Sequence, residues 1–299
     1  MAARPLIIDC DPGKDDAVAL LLAFASPEFD LLAITTVAGN VALDLTARNA
    51  LRICEVAGRG DMAVHAGCPR PILKPLDTAV RVHGADGLAG ADLPEPVMAL
   101  RPAHAVDFLV DRLMASDGEI TLAALGPLTN LALAMVKQPE IIPRIREIVL
   151  MGGVLTGGNV TPNAEFNIFT DPHAAAVVFG AGAPLTMIGL DVTHCAIATP
   201  DRVAAIRAID RPAAATVARM LALDLERREG GAPLHDPCVI AYLLRPDLFV
   251  GEAMNVTIET ADGEHLGQTV AGPSGNINVI TDIDADGFFA LLTARLDRL

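Results

Sequence analysis

Near its start the chain runs Leu6-Ile7-Ile8-Asp9-Cys10-Asp11-Pro12-Gly13-Lys14-Asp15-Asp16-Ala17-Val18-Ala19-Leu20-Leu21-Leu22-Ala23. An apolar run with the look of a buried strand ends in two acidic residues. A Pro-Gly turn follows, then two more acidic residues, then an apolar stretch with the look of a helix. Asp9, Asp11, Asp15 and Asp16 are four carboxylates within eight residues at this strand-to-helix junction. Like charges so close repel one another, and taking them out of water is costly. The junction therefore needs a compensating cation or hydrogen-bond donor.

The same alternation continues along the chain. Apolar, β-branched runs at 31–37, 62–65, 119–125, 147–151 and 185–190 predict strands. Helical spacing predicts helices at 43–57, 103–114, 129–136 and 174–179, the last opened by Asp171-Pro172. Further helices are expected at about 200–209, 212–228 and 236–244. Short strands at 253–259 and 277–281 and a helix from about Asp286 complete the pattern. From Cys68 to Pro96 periodicity fails, which predicts a long irregular segment; such loops are usually functional or mobile. Strands alternating with helices imply right-handed βαβ crossovers and a mainly parallel sheet. With no repeat, linker or composition break, the expectation is a single α/β domain over 1–299, the sheet flanked by helices. Ligands of such sheets bind beyond the carboxyl ends of the strands. Asp9, Asp11, Asn40, Leu125-Gly126, Met151-Gly152 and Asp191 are therefore expected to share one crevice.

Composition removes several classes of partner. A net charge of −15 argues against nucleic acid, which needs clustered Lys and Arg. Aromatics at 3% with no Trp leave few stacking platforms for bases of a single strand. The longest apolar run, Ala17 to Ala25, falls well short of the roughly 18 residues of a membrane span. Five scattered cysteines (Cys10, Cys54, Cys68, Cys195, Cys238) without a CxxC pair read as small buried residues of a reduced protein. Met1-Ala2-Ala3-Arg4 leaves no room for a secretory signal before the first strand. The expectation is a soluble, cytoplasmic protein.

Asp15 or Asp16 alone could be a helix N-cap, stabilising by roughly 1 kcal/mol, but a cap needs one carboxylate and not four. An EF-hand loop counted from Asp9 would place Leu20 where a bidentate Glu is required, so that reading fails. A DxD phosphotransfer site with Asp9 as nucleophile stays open, although Pro12-Gly13 and the doubled Asp15-Asp16 fit it poorly. Carboxylates without thiol or imidazole neighbours suit a hard cation, Ca²⁺ or Mg²⁺. Farther on, Asn159 to Asn167 mixes amides with Glu165. This stretch could be a surface loop, and it also has the donors and acceptors that neighbouring sugar hydroxyls require. His235-Asp236-Pro237 puts a His-Asp pair at a helix start, where Asp236 could serve simply as a cap.

Taken in order, these segments resemble the inosine-uridine nucleoside N-ribohydrolases. Asp9 to Ala17 looks like that family's DxDPGxDDA motif. Val37-Ala38-Gly39-Asn40, His83-Gly84, Gly126 to Asn130, Met151-Gly152-Gly153, Asn159 to Asn167 and His235-Asp236-Pro237 match further family blocks in the right order. The resemblance implies the nucleoside hydrolase fold, Rossmann-like, and a homodimer or homotetramer engaged in nucleoside salvage. It implies Ca²⁺ held by Asp11, Asp16, Asp236 and the Leu125 carbonyl, with Asp11 as general base on a metal-bound water. It places Asp15, Asn159, Glu165 and Asn167 on the ribose hydroxyls, with Asn40 and Met151 close to the sugar and Phe166 also among the substrate-binding residues. His235 and His83 would lie toward the base, where a donor, His235 or another group, could protonate it on leaving. Two positions depart from the family pattern. Lys14 stands where an apolar or neutral residue is usual, and a cation there would lower the pKa values of Asp15 and Asp16. The helix before His235 lacks the tyrosines of many members, the chain's one tyrosine being Tyr242. The altered base end leaves two alternatives beside a ribonucleoside hydrolase. One is a hydrolase of a modified ribosyl compound, the other a ribose- or nucleoside-binding protein without turnover.

Overall fold

The computed structural model describes residues 3–88, 90–228 and 230–299. Met1 and Ala2, part of the segment read as too short for a signal, lie outside the described residues. The elements in chain order are β1 (Arg4–Cys10), α1 (Lys14–Phe24), β2 (Phe29–Thr36), α2 (Leu43–Val56), β3 (Val64–Ala66), α3 (Val80–His83), α4 (Ala105–Met114), β4 (Ile120–Ala124) and α5 (Thr129–Lys137). There follow β5 (Ile145–Met151), α6 (Phe166–Thr170), α7 (Pro172–Gly180), β6 (Leu185–Ile188), α8 (Leu190–Thr193), β7 (Ile197–Ala198), α9 (Pro200–Arg207) and α10 (Pro212–Arg227). The last are β8 (Ala232–Pro233), α11 (Pro237–Leu244), β9 (Phe249–Ile258), β10 (Thr269–Pro273), β11 (Ile277–Ile283) and α12 (Ala285–Leu296).

A nine-stranded sheet in the order β10-β9-β11-β6-β5-β4-β1-β2-β3 forms the centre of the molecule. All pairings are parallel except those of β9 with β10 and β11. The helices cover both faces, and the alternation of side chains along each strand sorts the core into two layers. Leu6, Ile8 and Cys10 of β1 pack with α1, α2, α11 and α12 residues such as Leu20, Ile53, Ile240 and Phe288. Ile7 points the other way, into a layer built from α4, α5 and α7 with Leu109, Leu131 and Val178. Because both faces of β1 are covered, its residues are apolar at nearly every position. Helix α1 is likewise enclosed, buried from Lys14 through Ala23, so it shows no polar stripe.

The order of strands reverses between β1 and β4, because β1 pairs with β2 on one side and β4 on the other. This is the switch point at which the loops leave in opposite directions and open a crevice. The expected strands and helices occur with shifted ends. Six features were not foreseen: the short α3 inside the 68–96 segment, the helical turns α6 and α8, the two-residue strands β7 and β8, and strand β10. The strand expected over 185–190 stops at Ile188, which puts Asp191 on α8. Among the described residues no helix is long and apolar enough to cross a membrane. The five cysteines are free, and all but Cys195 are buried.

Candidate active site

Asp9 has the strand parity of Ile7 and so faces α5. Its Oδ1 accepts from the Thr35 hydroxyl of β2 and from Asn130 Nδ2 of α5 at 2.8 Å. Burial pushes its carboxyl up to about 7, against the pull of those two donors. Asp9 thereby ties three elements together behind the site, and it is not exposed to the crevice.

Asp11 and Asp16 lie on the turn that follows, both fully buried. Asp16, in the first turn of α1, accepts main-chain N–H groups from Asp11 (3.1 Å) and Gly13 (2.9 Å) and the side-chain amide of Asn40 (3.1 Å). Asp11 Oδ2 accepts from the Asn40 main chain at 2.6 Å. Asp11 Oδ1 is buried with no hydrogen-bond partner among the described residues. Asp236 occupies the N-cap position of α11 but makes no capping hydrogen bond; its carboxyl turns instead toward Asp16 and Asp11. Burial, and after it the mutual repulsion of these groups, holds the Asp11 and Asp236 carboxyls well above the usual range. Burial likewise raises Asp16 to about 6. Three carboxyls pressed together with one oxygen unsatisfied suit a hard cation, although no group of three or more acidic, imidazole or thiol side chains among the described residues already has metal-site geometry. The Leu125 carbonyl, which accepts from Asn167 Nδ2 at 2.8 Å, stands at the end of β4 beside them.

Glycine at 126 is a condition of this packing, since a Cβ there would fall 2.3 Å from Asp11 Oδ1. Gly126→Ala is expected to leave the fold intact, at a cost of about 1–3 kcal/mol of overpacking, while displacing Asp11. Circular dichroism and steady-state kinetics check this. A variant with wild-type turnover would show that the position of Asp11 Oδ1 is immaterial.

In front of the carboxyls opens a cavity of about 400 Å³. Asp15, Asn40, His83, Leu125, Met151, Asn159, Glu165, Phe166, Asn167, His235 and Asp236 all line it, while Asp11 and Asp16 lie beneath its floor. On the side of β5 and α6, Glu165 accepts N–H groups from Gly153, Asn167 and Ile168 at 2.9–3.1 Å. It caps α6 in doing so, which is why that short turn forms. Burial outweighs these donors and pushes its carboxyl up to about 7. Asn159 is exposed, its Oδ1 accepting from Phe166 N–H at 2.9 Å. The 159–163 portion is thus the surface loop its composition allowed, and the 164–168 portion is buried except for the half-buried Phe166.

Two histidines come from elsewhere in the chain. His83 Nδ1 accepts the Lys14 N–H at 3.2 Å, so its Nε2 carries the proton. Burial lowers its pKa to about 4. His235 pairs through Nδ1 with the Thr193 hydroxyl at 2.8 Å, and its main-chain N–H donates to Asp15 Oδ2 at 3.0 Å. Its pKa is lowered, again by burial.

Three expectations are corrected, the first being Asp9, which lies behind the site and not in the crevice. Asp191 does not reach the crevice. With β6 ending early, its carboxylate instead accepts from Leu155 N–H at 2.7 Å and from Thr156, holding the loop after β5. Lys14 does not neutralise Asp15 and Asp16, because its ammonium turns away to bond Asp224 on α10. Lys14 itself lines the cavity, together with Asp224, Arg228 and His194, which were not singled out in the sequence. Nothing local could have paired Lys14 with a residue 210 positions away.

A family model described as inosine-uridine preferring nucleoside hydrolase matches residues 6–290. The chain is 47% identical to a pyrimidine-specific ribonucleoside hydrolase RihA of Shewanella woodyi over 98% of both chains. It also resembles the structure of a purine-preferring ribonucleoside hydrolase from Gardnerella vaginalis (TM-score 0.93, 32% identity, 98% of both chains). A plant nucleoside hydrolase superposes with a TM-score of 0.91 at 32% identity over 99% of both chains.

Proposed function

The chain belongs to the inosine-uridine preferring nucleoside hydrolase family and is a ribonucleoside hydrolase; we propose that it uses a calcium ion and that Asp11 is its general base. The observation that carries this reading is the buried Asp11–Asp16–Asp236 group, with Asp11 Oδ1 unsatisfied, under a cavity walled by amides and carboxyls. Asp11, Asp16, Asp236 and the Leu125 carbonyl would hold the ion, which supplies a polarised water at neutral pH.

The residues of the chain do the rest. Asp15, Asn40, Asn159, Glu165 and Asn167 offer both donors and acceptors to the ribose hydroxyls. Asp11 takes a proton from the water as its oxygen bonds to the anomeric carbon. The C–N bond breaks through an oxocarbenium-like state, its electron pair leaving with the base. A proton delivered to the base from the His235 or His83 side completes the balance, so that nucleoside and water give ribose and free base. The relative named as pyrimidine-specific, at 47% identity, favours uridine and cytidine as the better substrates. Cytoplasmic nucleoside salvage by a homodimer or homotetramer belongs to the same proposal.

The test is incubation of purified protein and Ca²⁺ with uridine, cytidine, inosine and adenosine, followed by assay for reducing sugar. Ribose is expected from the pyrimidine nucleosides at least. Failure to cleave any of the four overturns the reading.

A further inference from the structure

The chemistry above makes no use of a charged pair in the cavity wall opposite β5 and α6. The Lys14 side chain is only 2% exposed, at the first position of α1, and bonds Asp224 in the last turn of α10. Both side chains line the cavity. The main chain of Lys14 meanwhile donates to His83 at the end of α3. One residue thus joins three elements that converge on the pocket.

Removing an ammonium from water is expensive, and a buried pair adds little net stability over apolar residues of the same shape. Packing therefore does not explain it. The ammonium carries three N–H donors, of which one goes to Asp224, and the carboxylate engages through Oδ1. The pair keeps donors and an acceptor side by side in the wall. A nucleobase edge has the complementary form, a ring carbonyl next to a ring N–H.

We propose that Lys14 and Asp224 are specificity-determining residues that read the hydrogen-bonding edge of the base. A lactam edge such as that of uracil would accept from Lys14 Nζ and donate to Asp224. This rests on the ribonucleoside reading above, and it fills the base end that the sequence left open.

The test compares wild type, Lys14→Met, Asp224→Asn and the double variant on two substrates. One is uridine; the other is p-nitrophenyl β-D-ribofuranoside, whose leaving group has no such edge. The fall in kcat/KM for uridine is expected to exceed the fall for the aryl riboside by tenfold or more in each single variant. The double variant should lose no more than the worse single one, because neither charge is then stranded. Asp224→Asn is nearly isosteric on a part-exposed helix and keeps the comparison available if Lys14→Met folds poorly. Equal losses on both substrates, or none on uridine, overturn the inference while leaving the hydrolase reading intact. A wild type that cleaves the aryl riboside but no nucleoside overturns the inference together with the choice of substrate.

Discussion

Asp11→Ala is expected to lower kcat for uridine by roughly 10³-fold or more, since a positioned general base alone contributes about 10²–10⁴-fold and a cation donor is lost with it. The same substitution should not unfold the protein. Asp11, Asp16 and Asp236 are mutually repelling carboxyls held above their usual pKa by burial, so deleting one relieves the other two. In chelator the melting temperature of the variant should match or exceed that of wild type, and addition of Ca²⁺ should no longer raise it. Asp11→Asn separates shape from charge: it keeps the volume beside Gly126 and Gly39 and removes the proton acceptor. Wild-type turnover by either variant would show that another group is the base.

The second large effect is a reversal of pH dependence by calcium. Folding raises Asp9 and Glu165 to about 7 and Asp16 to about 6, and burial holds Asp11 and Asp236 well above the usual carboxylate range. Unfolded carboxyls titrate near 4. Between those limits the folded state binds more protons than the unfolded one, so stability is full below about pH 4 as far as these groups are concerned. It is lost as pH rises through 6–7. In chelator the melting temperature should therefore fall from pH 5 to pH 8. Calcium needs the deprotonated carboxylates and competes with those protons. At a hundredfold excess over Kd it should add about 2.7 kcal/mol, with a larger shift at pH 8 than at pH 5. Scanning calorimetry at the two pH values, with and without Ca²⁺, reads this directly. A melting temperature at pH 8 indifferent to calcium would rule out the proposed ion.

Local chemistry made much of this molecule legible in advance. The β1–α1 junction declared itself through four carboxylates that no core could tolerate unaided. Runs such as Leu31 to Val37 could only be buried strands. The rule that ligands gather at the carboxyl ends of strands brought Asn40, Leu125 and Met151 into one cavity. What stayed hidden depends on contacts between distant residues. Whether Asp236 caps its helix or turns inward is decided by the proximity of Asp16. Whether Lys14 faces Asp15 or Asp224 is decided by where α10 packs. Strand β10 was missed because Thr269 to Pro273 carries a glycine and a proline, which an edge strand tolerates and a central one does not.

The bond from His235 N–H to Asp15 spans 220 residues of sequence, and it joins the motif made first in synthesis to one made near the end. Strand β1 lies in the middle of the sheet, yet its acidic turn is completed only when α11 docks against α1. A nascent chain emerges in order from its N-terminus, so it carries the four aspartates for most of its elongation without the Asp236 side of the site. The proposed ion would then be a late event in biogenesis and would act as a clasp between the first and last thirds of the chain. Local unfolding of α11 alone would release it. Metal retention is in this sense a report on whether the C-terminal third has closed.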